Sequence, residues 1–172
     1  MKRFFLFLVG IFIVITSMAQ STYIVLSYNK GEELRFYRPD QITDAIDKAE
    51  VNDTIYFGIG NYNMDYLCSR DDYFEGIPAD GIPTINKPLI FIGSGAHSGG
   101  TCFYGGQRLI INIDTSLDDN IKKLSFEGIS FGYDENVFNI EIASSLQELK
   151  FANCRFGENF YMGTFERSDI IN

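Results

Sequence analysis

Three sets of side chains in this sequence have types and spacings suited to chemistry. Asp71, Asp72 and Glu75 bring three carboxylates within five positions, and Asp114 with Asp118 and Asp119 forms a second group. A hard cation such as Ca²⁺ takes several oxygen ligands at once, so Asp71, Asp72 and Glu75 are the candidate metal ligands. Both groups lie in polar, turn-like stretches, where carboxylates are also simply solvated. Glu127 and Glu141 stand in strand-like segments. A glycosidic acid–base pair needs one raised and one ordinary carboxyl pKa, and no Asp pair in strand register joins them. Stacking on sugar rings is less demanding. Tyr56, Tyr62, Tyr104, Tyr133 and Tyr161 could line an outer groove, because tyrosine tolerates a half-wet position; Tyr104, Tyr133 and Tyr161 are the candidate glycan-binding residues. The competing use for 16 Phe and 10 Tyr is to fill the interior.

Composition removes several classes of function. Of 172 residues, 14 are basic and 23 acidic, for a net charge of −9, whereas phosphate neutralisation requires surplus Lys and Arg. The single histidine, His97, sits in the glycine-rich Gly95-Ala96-His97-Ser98-Gly99 and reads as a loop residue. No Lys-Ser/Thr or helix start follows these glycines, so they are turns rather than a phosphate cradle. Cys68, Cys102 and Cys154 are too widely spaced for a metal motif. Their odd number leaves at least one thiol unpaired within the chain; Cys68 with Cys102 is the disulfide to expect, and Cys154 reads as a small buried hydrophobe.

Elements that must position such residues follow from the chain's punctuation. Lys2-Arg3, an apolar run from Phe4 to Ile15 and Ser17-Met18-Ala19 make residues 1–19 a secretory signal peptide, cut between Ala19 and Gln20. The run is too short to span a bilayer, and no Cys follows it as a lipid anchor would need. A secreted, periplasmic or cell-surface domain over residues 20–172 is therefore expected, with no nucleic-acid partner and no stable membrane insertion after cleavage. Strands are expected at Tyr23 to Leu26, Leu34 to Tyr37, Thr54 to Phe57, Leu89 to Ile92, Leu109 to Ile113 and Val137 to Ile142. Between the second and third, Asp40 can cap a helix over 40–50 whose Ile42, Ala45, Ile46 and Ala49 share one face. Residues 65–83, polar and rich in Gly and Pro, read as a surface insertion. Finally, Leu124, Phe126, Ile129 and Phe131 recur 25 residues later as Leu149, Phe151, Cys154 and Phe156.

This order resembles the N-terminal end of secreted right-handed parallel β-helix proteins of the pectate-lyase-like superfamily. The residues that carry the resemblance are the Tyr23-Ile24-Val25 strand, Ile42 to Ala49, Asn52-Asp53-Thr54-Ile55-Tyr56-Phe57, Gly60-Asn61-Tyr62, and Ile85 to Gly95. It covers residues 23 to about 160 and departs at Asn52, where the family commonly has Gly. The fold it implies is all-β, a right-handed parallel solenoid of about 4–5 coils with an N-terminal capping α-helix. A leucine-rich repeat is the rival, since Leu146 to Phe156 fits its spacing. The expected function is that of a noncatalytic domain contacting extracellular polysaccharide or a surface protein. The alternatives are a polysaccharide lyase acting on uronate polymers with Ca²⁺, and a structural stalk, adhesin fragment or front part of a longer protein. No catalytic residue matches a family motif. A short stack also needs its last coil covered, so self-association through the C-terminal edge is expected.

Overall fold

The computed structural model describes residues 22–28, 34–67, 73–74, 77–78, 84–105, 109–114, 116–132, 137–143 and 146–164. Ala19, Gln20, Cys68, Asp71, Asp72, Glu75 and Tyr133 lie outside the described residues. Of the 65–83 segment, only a 3-10 turn at Met64–Leu67 and a small antiparallel pair, β5 (Tyr73–Phe74) with β6 (Ile77–Pro78), are described.

The largest sheet has six strands. Its parallel part runs β3 (Thr54–Phe57), β8 (Ile90–Ile92), β11 (Lys123–Glu127) and β14 (Glu148–Ala152), and beyond β3 come β1 (Ile24–Ser27) and β2 (Leu34–Tyr37). A second sheet holds β4 (Gly60–Asn63), β9 (Thr101–Tyr104), β12 (Ile129–Phe131) and β15 (Arg155–Phe156). The third holds β7 (Thr84–Ile85), β10 (Leu109–Ile111), β13 (Phe138–Ile142) and β16 (Phe160–Thr164). Parallel neighbours cannot be joined by a tight turn, so the chain visits the other two sheets before returning beside its previous strand.

This topology corrects the expectation of a right-handed parallel β-helix of about 4–5 coils with a capping helix. What forms among the described residues is three mostly parallel sheets and a single short α-helix. The six-stranded sheet is mixed: β1 pairs antiparallel with both β2 and β3. The helix α1 spans Ile42–Lys48 after a 3-10 turn at Pro39–Gln41, so it is shorter than 40–50. Asp40 does not cap it; its carboxylate pairs with Arg38 instead. The leucine-rich alternative fails as well, because each 25-residue repeat supplies a strand to each of the three sheets rather than to one.

The repeat is the pairing register itself. Leu124 lies beside Leu149, Phe126 beside Phe151 and Phe131 beside Phe156. Gly128 and Asn153, 25 residues apart, turn corresponding corners in the left-handed region at φ +63° and +52°. Asn52, at φ +66°, makes the same kind of corner before β3, as an asparagine can where glycine is commoner.

Inward side chains of all three sheets meet in one core. Phe57, Phe91, Phe126 and Phe151 form a ladder of near-parallel rings at centroid separations of 6.0, 5.0 and 5.4 Å. Phe103 and Phe131 meet from the second sheet edge-to-face at 5.7 Å, and Phe138 reaches Phe131 from the third at 5.5 Å. Offset and edge-on pairs each add about 0.5–1.5 kcal/mol beyond simple burial, and among the described residues seven aromatic side chains are buried.

Tyr62 belongs to this interior. It is fully buried, and its hydroxyl donates to the carbonyls of Tyr23 at 2.8 Å and Gly58 at 3.1 Å. Burial pushes its phenol pKa well above the usual tyrosine range. The protonated form is thus favoured by folding. Its stabilisation is complete below the unfolded pKa of about 10 and disappears as pH rises through the folded value. Tyr62→Phe should lose about 1 kcal/mol at neutral pH and show a shallower alkaline decline in urea midpoints than the parent.

Candidate functional site: an aromatic edge and an adjoining groove

Alternation along β2 sends Leu34 and Phe36 to one face of the six-stranded sheet and Arg35 and Tyr37 to the other. On the outer face Phe36 lies opposite Val25, which in turn lies opposite Tyr56. Phe36 is 70% exposed, Tyr56 42% and Tyr23 36%, and the rings of Tyr23 and Phe36 are 6.4 Å apart. Three aromatic side chains therefore share one outer surface near the sheet's β2 edge. Flanking Val25 across β1, Phe36 and Tyr56 are two strand spacings apart, about 9.5 Å.

Around that edge runs an open groove of about 640 Å³ lined by Arg35, Phe36, Tyr37, Asp44, Asp47 and Lys48. Its far wall is α1. The apolar positions Ile42, Ala45 and Ile46 are buried in the core, which turns Asp47 and Lys48 outward and leaves Asp44 half-buried. Asp44 accepts from Gln41 at 3.4 Å. Arg35 lies 5.5 Å from the centre of the Tyr28 ring, a cation–π distance. The Tyr37 phenol is pushed up by burial first and by neighbouring Tyr28 next, with Arg35 opposing both. Acceptors, donors and an aromatic face thus meet in one concavity, the combination by which proteins bind polyhydroxylated ligands.

Lys87 fixes the helix wall. From the turn before β8, its ammonium donates to the carbonyls of Ile46, Asp47 and Ala49 at 3.1, 2.8 and 3.1 Å. Those carbonyls belong to the helix's C-terminal end, whose partial negative charge a cation complements. Lys87→Met keeps the stem and removes the charge. It should cost about 1–2 kcal/mol, read as a lowered urea midpoint, with hydrogen exchange quickening in α1 before other segments.

The tyrosines chosen from the sequence are dispersed. Tyr104 is half-buried at the end of β9, paired with Asn63 of β4, whereas Tyr161 is 57% exposed on β16 in another sheet. Tyr62 is corrected outright, being buried beneath the surface it was expected to line. Tyr56, named with Tyr62 and without distinction from it, is exposed; Phe36 and Tyr23 were not singled out, because nothing in Leu34-Arg35-Phe36-Tyr37 says which face stays uncovered.

Carboxylates placed in turns are engaged there. Asp114 accepts from the Ser116 amide at 2.8 Å, which holds its carboxyl below the usual range, and Asp118 accepts from the Asn120 amide at 2.9 Å. Asp119 pairs with buried Lys122 at 2.9 Å. Glu127 and Glu141 lie on different sheets, and Glu141 accepts from Asn139. Among the described residues no three His, Cys, Asp or Glu side chains group as a metal site. Cys102 is buried, with Sγ 3.7 Å from the carbonyl of Phe103, and its expected pairing with Cys68 lies outside the described residues. Cys154 is half-buried rather than buried, and burial raises its thiol pKa. His97 is an exposed loop residue.

No family model, curated protein or solved structure matches the chain. The resemblance to the pectate-lyase-like superfamily therefore has no family match behind it, and no catalytic or ligand-binding role is carried over from it. Among the described residues, no helix is long and apolar enough to cross a membrane.

Proposed function

We propose that this chain is an exported, noncatalytic carbohydrate-contacting domain, with the β2 edge and the β2–α1 groove as its binding surface. The observation that carries the reading is the grouping of Tyr23, Phe36 and Tyr56 on one exposed sheet face, with Phe36 at the edge also lining the groove that holds Arg35, Asp44, Asp47 and Lys48. Sugar rings present apolar C–H faces and a rim of hydroxyls. Aromatic faces take the former, and carboxylates and cationic side chains take the latter. Aromatic residues on strands about 9.5 Å apart suit sugar units spaced along an extended chain better than a single monosaccharide. The net charge of −9 favours a neutral polymer over a polyuronate, which the surface would repel. Export is supported by the charged, apolar and small-residue order of residues 1–19.

Affinity electrophoresis through gels containing neutral polysaccharides (xylan, glucomannan, β-glucan) or polygalacturonate tests the reading. Retardation is expected in at least one neutral gel and not in polygalacturonate. Phe36→Ala with Tyr56→Ala should weaken that retardation by about tenfold or more, since each base- or sugar-sized stacking contact is worth on the order of 1 kcal/mol. Unchanged mobility of the parent in every gel would refute it.

A further inference from the structure

The two ends of the sheet stack differ. At one end Ile42, Ala45 and Ile46 of α1 lie in the core with Ile24 and Leu26. At the other, β14, β15 and β16 are the terminal strands of all three sheets. Their inward side chains repeat those of the layer beneath, but with a different fate. Phe131 and Ile140 are fully buried, while their register partners Phe156 and Met162 are 42% and 53% exposed. Leu149, Phe151 and Phe160 are only half-buried where Leu124, Phe126 and Phe138 are sealed.

We propose that this end face is the docking site for a second copy of the same chain, joined end to end about a twofold axis. Charge selects the occupant. The chain as a whole is strongly acidic, yet around this layer the exposed Glu148 and Glu158 are offset by the exposed Lys150 and Arg155. Two copies that repel over most of their surfaces do not repel here, and opposite charges on the rim can meet across the axis. The backbone agrees. A sheet's last strand offers backbone N–H and C=O groups along its outer side, and an end-to-end twofold can set β14 against an antiparallel copy of itself. Because α1 occupies the opposite end, the contact closes at two copies instead of propagating head to tail.

Sedimentation velocity over a wide concentration range, on full chain recovered from an export host with its N-terminus sequenced, tests the proposal. A reversible dimer is expected. Met162→Lys and Lys150→Glu, both at exposed positions that leave the layers beneath intact, should each weaken dimerisation about tenfold or more without changing the far-ultraviolet spectrum. Phe36→Ala, at the distant aromatic edge, should leave it unchanged, which separates this proposal from the carbohydrate reading. A monomer at every concentration, species larger than dimers, or a dimer indifferent to both substitutions would overturn it.

Discussion

Phe131→Ala is expected to destabilise the protein by about 3–5 kcal/mol, among the largest losses any single truncation would produce. Phe131 is fully buried, and its ring lies within 6 Å of those of Phe103, Phe126, Phe138, Phe151, Phe156 and Phe160, so it joins three sheets and three layers at once. Removing it opens a cavity that neighbours held in register cannot collapse to fill. Against a total stability of about 5–15 kcal/mol, such a loss leaves little margin. The same truncation one layer on, Phe156→Ala, removes a 42% exposed ring and should cost only about 1 kcal/mol in dilute solution, since much of its surface is already wet. Urea titration of both variants checks the contrast. Equal losses would mean that the last layer is as well covered as the one beneath it.

A second large effect comes from adding a single methyl group. Gly93 ends β8 and passes under the next layer. A Cβ there would press on the Gly128 carbonyl oxygen and stand 2.8 Å from both Ile129 Cγ1 and Thr101 Cβ. The Gly93 amide donates to the Glu127 carbonyl at 2.8 Å, and the Gly95 amide to that of Gly128 at 3.0 Å, so the two corners are tied and neither backbone can withdraw. Gly93→Ala should therefore cost about 3 kcal/mol, the upper end for overpacking. Gly99→Ala adds a methyl into open space, so steric overlap contributes nothing there; its φ of +88° leaves backbone strain of about 1 kcal/mol. Thermal melts of the pair distinguish layer spacing from backbone freedom.

The sequence expressed the repeating interior clearly. Inward positions on a strand must be apolar whatever lies outside, so Leu124-x-Phe126 and Leu149-x-Phe151 could be aligned by eye, and their 25-residue offset is the pairing register. The limits of Thr54–Phe57 were legible for the same reason, whereas exposed Leu34–Tyr37 was marked by Gly31 before it and Pro39 after it. Sheet direction at the β1–β2 edge was not, because alternation of side chains is the same in parallel and antiparallel neighbours. That ambiguity makes a uniformly parallel coil and a mixed sheet read alike in the sequence. The candidate site was the least legible feature. A tyrosine reads alike whether it is buried with its hydroxyl on two carbonyls, as Tyr62 is, or left on an outer face, as Tyr56 is. Only the placement of β2 at a sheet edge with α1 beside it brings Phe36 together with Asp44, Asp47 and Lys48.

Hydrogen exchange read by mass spectrometry, with and without a polysaccharide that retards the protein, tests the proposed binding surface most directly. Protection is expected over Leu34–Tyr37 and Ile42–Lys48, with β9 and β16, which carry Tyr104 and Tyr161, unchanged. Protection confined to β9 or β16, or none along β2 and α1, would contradict the account.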